Sequence, residues 1–331
     1  DISRSRQSLF VATGGSHASA LFKPGGEPCF LREDVGRHNA LDKAIGASLL
    51  AGLIPLDSHI LAISGRVGYE VIQKASTAGI PVIVSVAPSP SLDRTLLVEQ
   101  VTPGAIHRPH TAISVAGGKG LNVARAAHAL GNTVVAIAIL GGPTGGVVRS
   151  LLDREGVIAN IVPGSGNTRT CTSIASTADH SLTEFYEPAT TVTEREWREL
   201  EQRVDDECDR RPQWLTISGS MPPGAPLDAV GRLTALAHAR GVRVAVDTHG
   251  PALAGALDEH ADIIKVNVHE AAAVLGLTSD QIADPAAAAQ LLHDRREHGW
   301  LTVVTAGALG AWAIADGPMY HAAPGDHGSF P

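Results

Sequence analysis

AGGKGLNVARAA, residues 116–127, joins a glycine-rich turn to the start of a helical pattern. The glycines let a ligand approach the backbone closely, because no Cβ stands in the way. A helix that begins here offers unpaired N–H groups and the positive end of its dipole to an anion. Lys119 adds a positive charge, and Asn122 supplies both a donor and an acceptor. The stretch therefore predicts a site for a phosphorylated, hydroxyl-rich small molecule. Taken alone, it fits equally a tight turn between strand and helix with Lys119 in solvent.

Short apolar runs rich in β-branched residues alternate with helical patterns through the rest of the chain. The predicted strands are residues 134–140, 214–218, 242–246, 263–266 and 302–305, and the two clearest helices are residues 226–240 and 285–299. Such alternation predicts an α/β fold, with a largely parallel sheet covered by helices on both faces. Ligands bind such sheets beyond the carboxyl ends of the strands. Four of the predicted strands are followed there by Ser218, Asp247, Asn267 and Gly307.

Eight motifs, in order along the chain from about residue 87, resemble the PfkB family of carbohydrate kinases. They are PSLDRT at 90–95, GGKGLN at 117–122, LGG at 140–142, NTRTC at 167–171, SGSMPPG at 218–224, DTHG at 247–250, KVNVHE at 265–270 and VTAGALGA at 304–311. The matching branch phosphorylates hexose phosphates such as fructose 1-phosphate, fructose 6-phosphate and tagatose 6-phosphate. The resemblance implies a ribokinase-like, mostly parallel sheet flanked by helices, with a small β lid that we assign to residues 174–192.

The resemblance also implies which residues hold the phosphorylated hexose. Asp93 and Asn122 would bond to sugar hydroxyls, and Gly117 and Gly118 would form the turn beside them. Lys119 and Arg169 would hold the phosphate already on the substrate, Arg169 through its planar fork of donors. Without the resemblance, Asp93 would be read as a turn or cap residue and Arg169 as a surface cation.

ATP and Mg²⁺ are the cofactors that the resemblance implies. Lys265 and Asn267 fall where the family holds ATP, as does the turn at 305–310 with Thr305, Gly307 and Gly310. Glu270 falls where the family organises Mg²⁺, which bridges the phosphates in this chemistry. Alone, Lys265 and Glu270 would be a solvated strand end and a helix start. Asp247 is left out of the predicted site as a helix cap, and Val266 stands where the family usually has proline.

One signature of the family does not occur in the sequence. The motif G-[AS]-G-D would supply the aspartate that takes the proton from the sugar hydroxyl and the N–H groups that bind the transferred phosphoryl group. Both act in the transition state. The nearest stretch, Pro324-Gly325-Asp326, reads as a loop because Gly328 and Pro331 follow it. We therefore expect this chain to be inactive or nearly so as an enzyme, and a non-catalytic module that binds sugar phosphate and nucleotide is the alternative.

The first part of the chain resembles a different family. TGGSHA at 13–18, REDVGRHNALDK at 32–43 and SGRVGYE at 64–70 are similar to the carboxyl-terminal half of FdhD, the sulfurtransferase accessory to formate dehydrogenase. The match covers residues 8–88. Glu33 and Asp34 are expected at a helix start, and Arg37, His38 and Lys43 would suit a nucleotide-bearing cofactor. The alternative is a charged amphipathic helix.

Sulfur transfer needs a nucleophilic thiolate, and the family's paired cysteines are not in this sequence. Cys29, Cys171 and Cys208 are far apart, and none matches a sulfur-carrying position. We expect no sulfur transfer, although a fragment of such an accessory protein stays an alternative. A zinc site built from Cys29, His17 and His38 lacks the usual ligand spacing.

The two resemblances divide the chain. We expect residues 1–86 to form a partial FdhD-like segment and residues 87–331 to form a PfkB-type kinase domain that lacks its C-terminal end. Because the chain starts inside one pattern and stops inside the other, we expect a fragment or an accidental fusion. The apolar run 82–86 suits the first strand of the kinase sheet, since a buried parallel strand requires little beyond apolar, β-branched residues.

Composition excludes several classes of function. The 331 residues leave room for two domains, and 44% hydrophobic residues can form sizeable cores. A net charge of −8 argues against nucleic-acid binding, and three cysteines without a pairing pattern predict a reducing, cytoplasmic location. The most apolar window, residues 45–63, contains Pro55, Asp57 and His59, so no membrane span is predicted. Whether the protein is a monomer or a homodimer stays open.

Overall fold

A computed structural model of the chain describes residues 17–23, 27–35, 37–56, 59–63, 78, 83–130, 132, 134–210, 212–277, 284–295, 301–315 and 317–323. Its strands are β1 (His17–Phe22), β2 (Pro28–Asp34), β3 (Ile60–Ile63), β4 (Ile83–Ala87), β5 (Ser91–Val98), β6 (Thr111–Gly117), β7 (Val134–Gly141), β8 (Ile158–Gly164), β9 (Arg169–Ser176), β10 (Leu182–Tyr186), β11 (Trp214–Ser218), β12 (Arg243–Asp247), β13 (Ile263–Asn267), β14 (Leu301–Thr305), β15 (Ala311–Ile314) and β16 (Tyr320–Ala322). Its α-helices are α1 (Arg37–Leu50), α2 (Lys119–Ala129), α3 (Gly142–Glu155), α4 (Glu194–Cys208), α5 (Ala229–Ala239), α6 (Gly250–Asp258), α7 (Val268–Leu275) and α8 (Pro285–Asp294).

A nine-stranded sheet forms the centre of the fold, in the order β16-β15-β14-β13-β12-β11-β4-β7-β8. The seven strands from β14 to β8 are parallel, and β15 and β16 add an antiparallel edge. Alternate residues of β7 enter different cores. Ile137 belongs to the core that contains Trp197 of α4, whereas Ala138 belongs to the core that contains Leu121 of α2. Helices therefore cover both faces of the sheet, which confirms the predicted fold class.

The predicted strands occur with ends shifted by one residue at most. The two predicted helices are shorter than expected, because α5 begins only at Ala229 after a turn and α8 ends at Asp294. The apolar run expected as the first kinase strand is β4, which pairs with β7 on one side and β11 on the other. Val84 in this strand is buried, and Val82 lies outside the described residues.

The lid is larger than the segment that the sequence predicted for it. Residues 174–192 supply β10 and the end of β9, but a four-stranded sheet forms in the order β10-β9-β5-β6. We call this sheet the lid. Strand β5 lies parallel to β9, so Ser91 pairs with Arg169 and Asp93 pairs with Cys171. The lid therefore carries three of the residues expected to bind the hexose phosphate: Asp93 in β5, Gly117 at the end of β6 and Arg169 in β9.

The N-terminal segment forms its own antiparallel sheet, β2-β1-β3, with α1 packed against β1 and β2. Leu21, Ala44 and Leu56 belong to its core. The expectation that Glu33 and Asp34 start a helix is wrong, since both residues end β2 and α1 begins at Arg37. The backbone stays extended there because the two residues complete the pairing of β2 with β1.

The charged motif of this segment ties the strand to the helix. Asp34 accepts hydrogen bonds from the Asn39 amide, at 3.1 Å, and from Lys43, which also bonds to the Glu33 carbonyl at 3.2 Å. Residues 13–16, Gly36, the motif at 64–70 and Pro324-Gly325-Asp326 lie outside the described residues, as do the side chains of Arg37 and His38. Within the described ranges, no helix combines the length and apolar character needed to cross a bilayer.

Candidate functional site

The carboxyl ends of four neighbouring parallel strands bring polar groups to one edge of the central sheet. Ser218 at the end of β11 is in register with Asp247 at the end of β12, and Asn267 at the end of β13 is in register with Thr305 at the end of β14. Parallel strands end at the same edge, so the four residues line one rim. This is the convergence that the order of motifs predicted.

The glycine-rich turn is pressed against the neighbouring backbone. Gly118 has a φ of 90° and precedes the first residue of α2, and a Cβ on it would lie 2.8 Å from the Ser89 carbonyl oxygen. A Cβ on Gly120 would lie 2.4 Å from the Ala87 Cα. Only glycine fits these positions, because any side chain would collide with backbone atoms. Helix α2 therefore begins directly beside the end of β4.

Asp93 lies against this turn. A Cβ on Gly117 would lie 2.0 Å from the Asp93 Cγ, so the carboxylate packs onto the glycine backbone. The Ser91 hydroxyl donates a hydrogen bond of 2.6 Å to Asp93 Oδ1, which fixes the orientation of the carboxylate. The sequence motifs predicted that Asp93 and Gly117 would serve one site but not that they touch.

Arg169 and Ser89 border the same turn with unused hydrogen-bonding groups. The Arg169 guanidinium donates to the Ser89 carbonyl at 3.4 Å, but its Nε finds no partner among the described residues, and neither does the Ser89 hydroxyl. Both atoms are buried. Buried polar groups are normally hydrogen-bonded, so a ligand with several acceptors would complete this part of the site.

Asp247 joins two of the predicted lysines. Lys119 Nζ lies 2.8 Å from Asp247 Oδ1, and Lys265 Nζ lies 2.8 Å from Asp247 Oδ2. The carboxylate is 20% exposed and the two lysine side chains are about half exposed. Lys119 was predicted to bind sugar phosphate and Lys265 was predicted to bind ATP, so Asp247 connects the two halves of the site. Asp247 is not among the predicted site residues, although its position after a predicted strand was a usable signal.

Asn267 and Glu270 form a reciprocal cap at the start of α7. Asn267 Oδ1 accepts from the Glu270 backbone N–H at 2.9 Å, and Glu270 Oε2 accepts from the Asn267 backbone N–H at 2.8 Å. The cap holds both side chains at the helix N-terminus, where an anion is favoured. It also engages one oxygen of the carboxylate predicted to organise Mg²⁺.

The turn after β14 completes the nucleotide side of the rim. Thr305 Oγ1 donates to the Val266 carbonyl at 3.4 Å, and Gly307–Leu309 forms one 3₁₀ turn. Gly307 has a φ of 53° and Gly310 a φ of 97°, and a Cβ on Gly310 would lie 2.1 Å from the Ala322 carbonyl oxygen. The two glycines therefore allow the tight turn that follows β14 at this edge of the sheet.

The donor set fits a nucleotide better than it fits a metal ion held by protein alone. A lysine ammonium, a helix N-terminus and a glycine turn suit phosphate groups. Among the described residues, no group of three or more His, Cys, Asp or Glu side chains is arranged to hold a metal ion. Glu270 would therefore share Mg²⁺ with phosphate oxygens and water, which is the usual arrangement for this ion.

The remaining predicted residue, Asn122, lies in the first turns of α2 with an exposed side chain, and its backbone N–H donates to the Gly118 carbonyl at 2.9 Å. Four of the predicted substrate residues are thus linked in two pairs: Asp93 packs on Gly117, and Arg169 donates to the Ser89 carbonyl that borders Gly118. Lys119 is instead connected to the nucleotide side through Asp247.

Residues 82–326 match the model of the pfkB family carbohydrate kinases. The chain belongs to this family. The 1-phosphofructokinase of Haloferax volcanii is 34% identical over 236 residues, which cover 71% of this chain and 73% of that protein. Phosphofructokinase-2 from Escherichia coli in complex with fructose-6-phosphate has a TM-score of 0.66 at 29% identity and covers 76% of this pfkB chain and 82% of its own. The tetrameric inhibited form of the same enzyme also has a TM-score of 0.66, at 30% identity, with 75% and 81% covered.

The N-terminal segment of this pfkB chain matches a second family. Residues 2–92 match the model of the FdhD/NarQ family. The sulfur carrier protein FdhD of Saccharolobus solfataricus is 43% identical over 120 residues, which are 36% of this chain and 44% of that protein. The chain therefore spans less than half the length of this relative. Because the two family matches overlap over residues 82–92, the boundary between residues 86 and 87 stays a prediction.

Proposed function

We propose that this pfkB chain binds a hexose phosphate and ATP for phosphoryl transfer to the sugar, with fructose 1-phosphate, fructose 6-phosphate or tagatose 6-phosphate as the substrate. The observation that carries the proposal is the packing of the Asp93 carboxylate on Gly117, beside Arg169 and the N-terminus of α2. A carboxylate accepts hydrogen bonds from sugar hydroxyls, and the guanidinium and helix N-terminus favour a phosphate. These two chemistries occur together on a phosphorylated sugar.

The nucleotide would lie along the other half of the rim. Lys265 and the N-terminus of α7 at Asn267 offer positive charge to the phosphates of ATP, and the turn with Gly307 and Gly310 offers backbone groups. When bound, Mg²⁺ neutralises charge on the phosphates during transfer, and Glu270 would hold it. Asp247 would keep Lys119 and Lys265 in place, since each ammonium group is tied to its own carboxylate oxygen.

A second candidate function is binding of both ligands without turnover. The sequence contains no G-[AS]-G-D motif, so none of its residues is assigned as the proton acceptor for the sugar hydroxyl. The inactivity expected on this ground stays a prediction. Turnover and binding are separable, because positioning residues bind the ground state even where the transition state is not stabilised.

Calorimetric titration and product analysis together test the proposal. The chain should bind fructose 1-phosphate, fructose 6-phosphate or tagatose 6-phosphate more tightly than fructose, because only the phosphorylated sugars use Arg169 and Lys119. ADP formation with ATP and Mg²⁺ would establish the kinase, and binding without ADP would favour the non-catalytic module. Failure to bind any of the three phosphorylated sugars would refute the proposal.

The FdhD segment is not proposed to transfer sulfur. Burial raises the pKa of the Cys29 thiol, which opposes the thiolate that such a reaction requires. Replacing Cys29 by serine should therefore leave any sulfur-transfer assay unchanged. A loss of transferred sulfur in Cys29→Ser would instead support the reading as a fragment of a sulfurtransferase accessory protein.

A homodimer and a cytoplasmic location remain proposals. The lid exposes Ile113, Leu182 and Phe185, each at least half accessible. Exposed apolar side chains that form a patch are typical of protein–protein interfaces. Light scattering after size-exclusion chromatography would measure the mass in solution. A monomer at all concentrations would count against the dimer.

A further inference from the structure

Arg125, two turns into α2, connects three elements behind the glycine-rich turn. Its Nε lies 2.5 Å from Glu155 Oε2 and one terminal nitrogen lies 2.8 Å from Glu155 Oε1, so the pair is bidentate. The other terminal nitrogen donates to the Ala116 carbonyl at 3.2 Å. Glu155 is the last residue of α3, and Ala116 lies near the end of β6. The three guanidinium nitrogen atoms therefore connect α2 to α3 and to β6.

The Ala116 carbonyl is coupled to the predicted sugar site through one peptide unit. The peptide group is planar, so fixing the carbonyl of Ala116 also fixes the direction of the Gly117 N–H. Gly117 in turn carries the packed carboxylate of Asp93. A rotation of this peptide would move the backbone surface on which Asp93 rests, although Arg125 itself does not contact Asp93 in this structure.

We propose that Arg125 is a positioning residue for the sugar phosphate. Held by Glu155, it fixes the Ala116–Gly117 peptide and through it the Asp93 carboxylate. The inference rests on the proposed function, because it assigns Arg125 to the same site. Lysine cannot replace the arginine fully, since a single ammonium group cannot reproduce the planar fork that serves Glu155 and Ala116 at once.

A structural staple between α2 and α3 is the competing explanation for this ion pair. The chain offers a matched control in Arg232, whose terminal nitrogen lies 2.6 Å from Glu201 Oε2 and joins α5 to α4. Both pairs link two helices and both are partly exposed. Loss of either should lower stability, with the larger effect at Arg125 because it makes three bonds where Arg232 makes one to Glu201. Only the loss of Arg125 should change the sugar site.

The test compares Arg125→Met, Arg125→Lys and Arg232→Met in the full chain. Arg125→Met should weaken fructose 1-phosphate binding about tenfold, the effect of losing one hydrogen bond between the misplaced Asp93 carboxylate and a sugar hydroxyl. ATP binding should change by no more than about twofold, as expected for a site without shared partners. Arg125→Lys should recover the melting temperature but not the sugar affinity. Arg232→Met should lower the melting temperature with no change in sugar affinity.

Hydrogen exchange provides a readout that needs no ligand. The segment 111–122 should exchange faster in Arg125→Met than in Arg232→Met, by about tenfold at the Gly117 amide. Unchanged exchange there, equal loss of sugar and ATP affinity, or full rescue by lysine would each overturn the positioning role. If the unmodified chain bound no sugar phosphate, the proposed function would fail, and the exchange result would still decide whether Arg125 fixes the peptide.

Discussion

The substitution Gly117→Ala should weaken sugar-phosphate binding on the order of 100-fold in a chain that remains folded. The new Cβ would lie 2.0 Å from Asp93 Cγ and 2.2 Å from each carboxylate oxygen, whereas ordinary contact begins at 3.4 Å. The carboxylate would therefore have to retreat by about 1.4 Å. Gly117 is not among the residues with positive φ, so alanine brings no backbone strain and the collision with Asp93 is the main cost.

The magnitude follows from this displacement. The displaced carboxylate would lose hydrogen bonds to the sugar hydroxyls, and hydrogen bonds to a charged group contribute up to about 3 kcal/mol. We therefore expect an affinity loss on the order of 100-fold, or about 2.7 kcal/mol of binding free energy. Calorimetry with fructose 1-phosphate should show this loss, and ATP should bind as before because Gly117 lies on the sugar side of the rim. In an Asp93→Ala background the second change should cost little, because the colliding group is gone.

Gly146→Ala is the matched control for this substitution. Gly146 lies inside α3, and a Cβ on it would meet no atom within 4 Å. Alanine there should raise the free energy of unfolding by about 1 kcal/mol through helix propensity and leave both ligands unaffected. If Gly117→Ala bound fructose 1-phosphate as tightly as the unmodified chain, Asp93 would not be a sugar ligand and the reasoning would be wrong.

Three further substitutions or measurements test other parts of the structure. Asp247→Asn should weaken the binding of the sugar phosphate and of ATP about tenfold each, because each lysine loses one charge-assisted bond. Tighter binding in calorimetry would show instead that the carboxylate only repels anions. Thr193→Ala should lower the free energy of unfolding in urea by about 1 kcal/mol, since Thr193 accepts from the Glu196 N–H at 3.2 Å in the cap of α4, and an unchanged midpoint would contradict this. Burial raises the pKa of Cys208 to about 11, so at pH 8, well below that pKa, iodoacetamide should label Cys29 before Cys208 in peptide mass spectrometry; the reverse order would refute it.

Local patterns in the sequence determined much of the fold. The strands β7, β11 and β13 are short apolar runs with β-branched residues, and burial on both faces of a parallel sheet requires little else. Gly118 and Gly310 have positive φ, which explains why glycine marks both turns. The order of motifs then predicted correctly that the ends of neighbouring strands would share one rim, because parallel strands end on the same side.

Tertiary structure alone decided which side chains meet. The bond from Lys119 to Asp247 joins residues 128 positions apart, and no local pattern reports such a distance. Helix α8 also ended earlier than its periodicity suggested, and α5 began later. Strand β2 kept Glu33 and Asp34 out of a helix because strand pairing outweighed local charge preference. The lid gained β5 and β6 by pairing across the chain, which placed Asp93 against Gly117. The sequence thus supplied the groups for the site, and long-range packing decided their contacts, because contact energies depend on separation in space rather than along the chain.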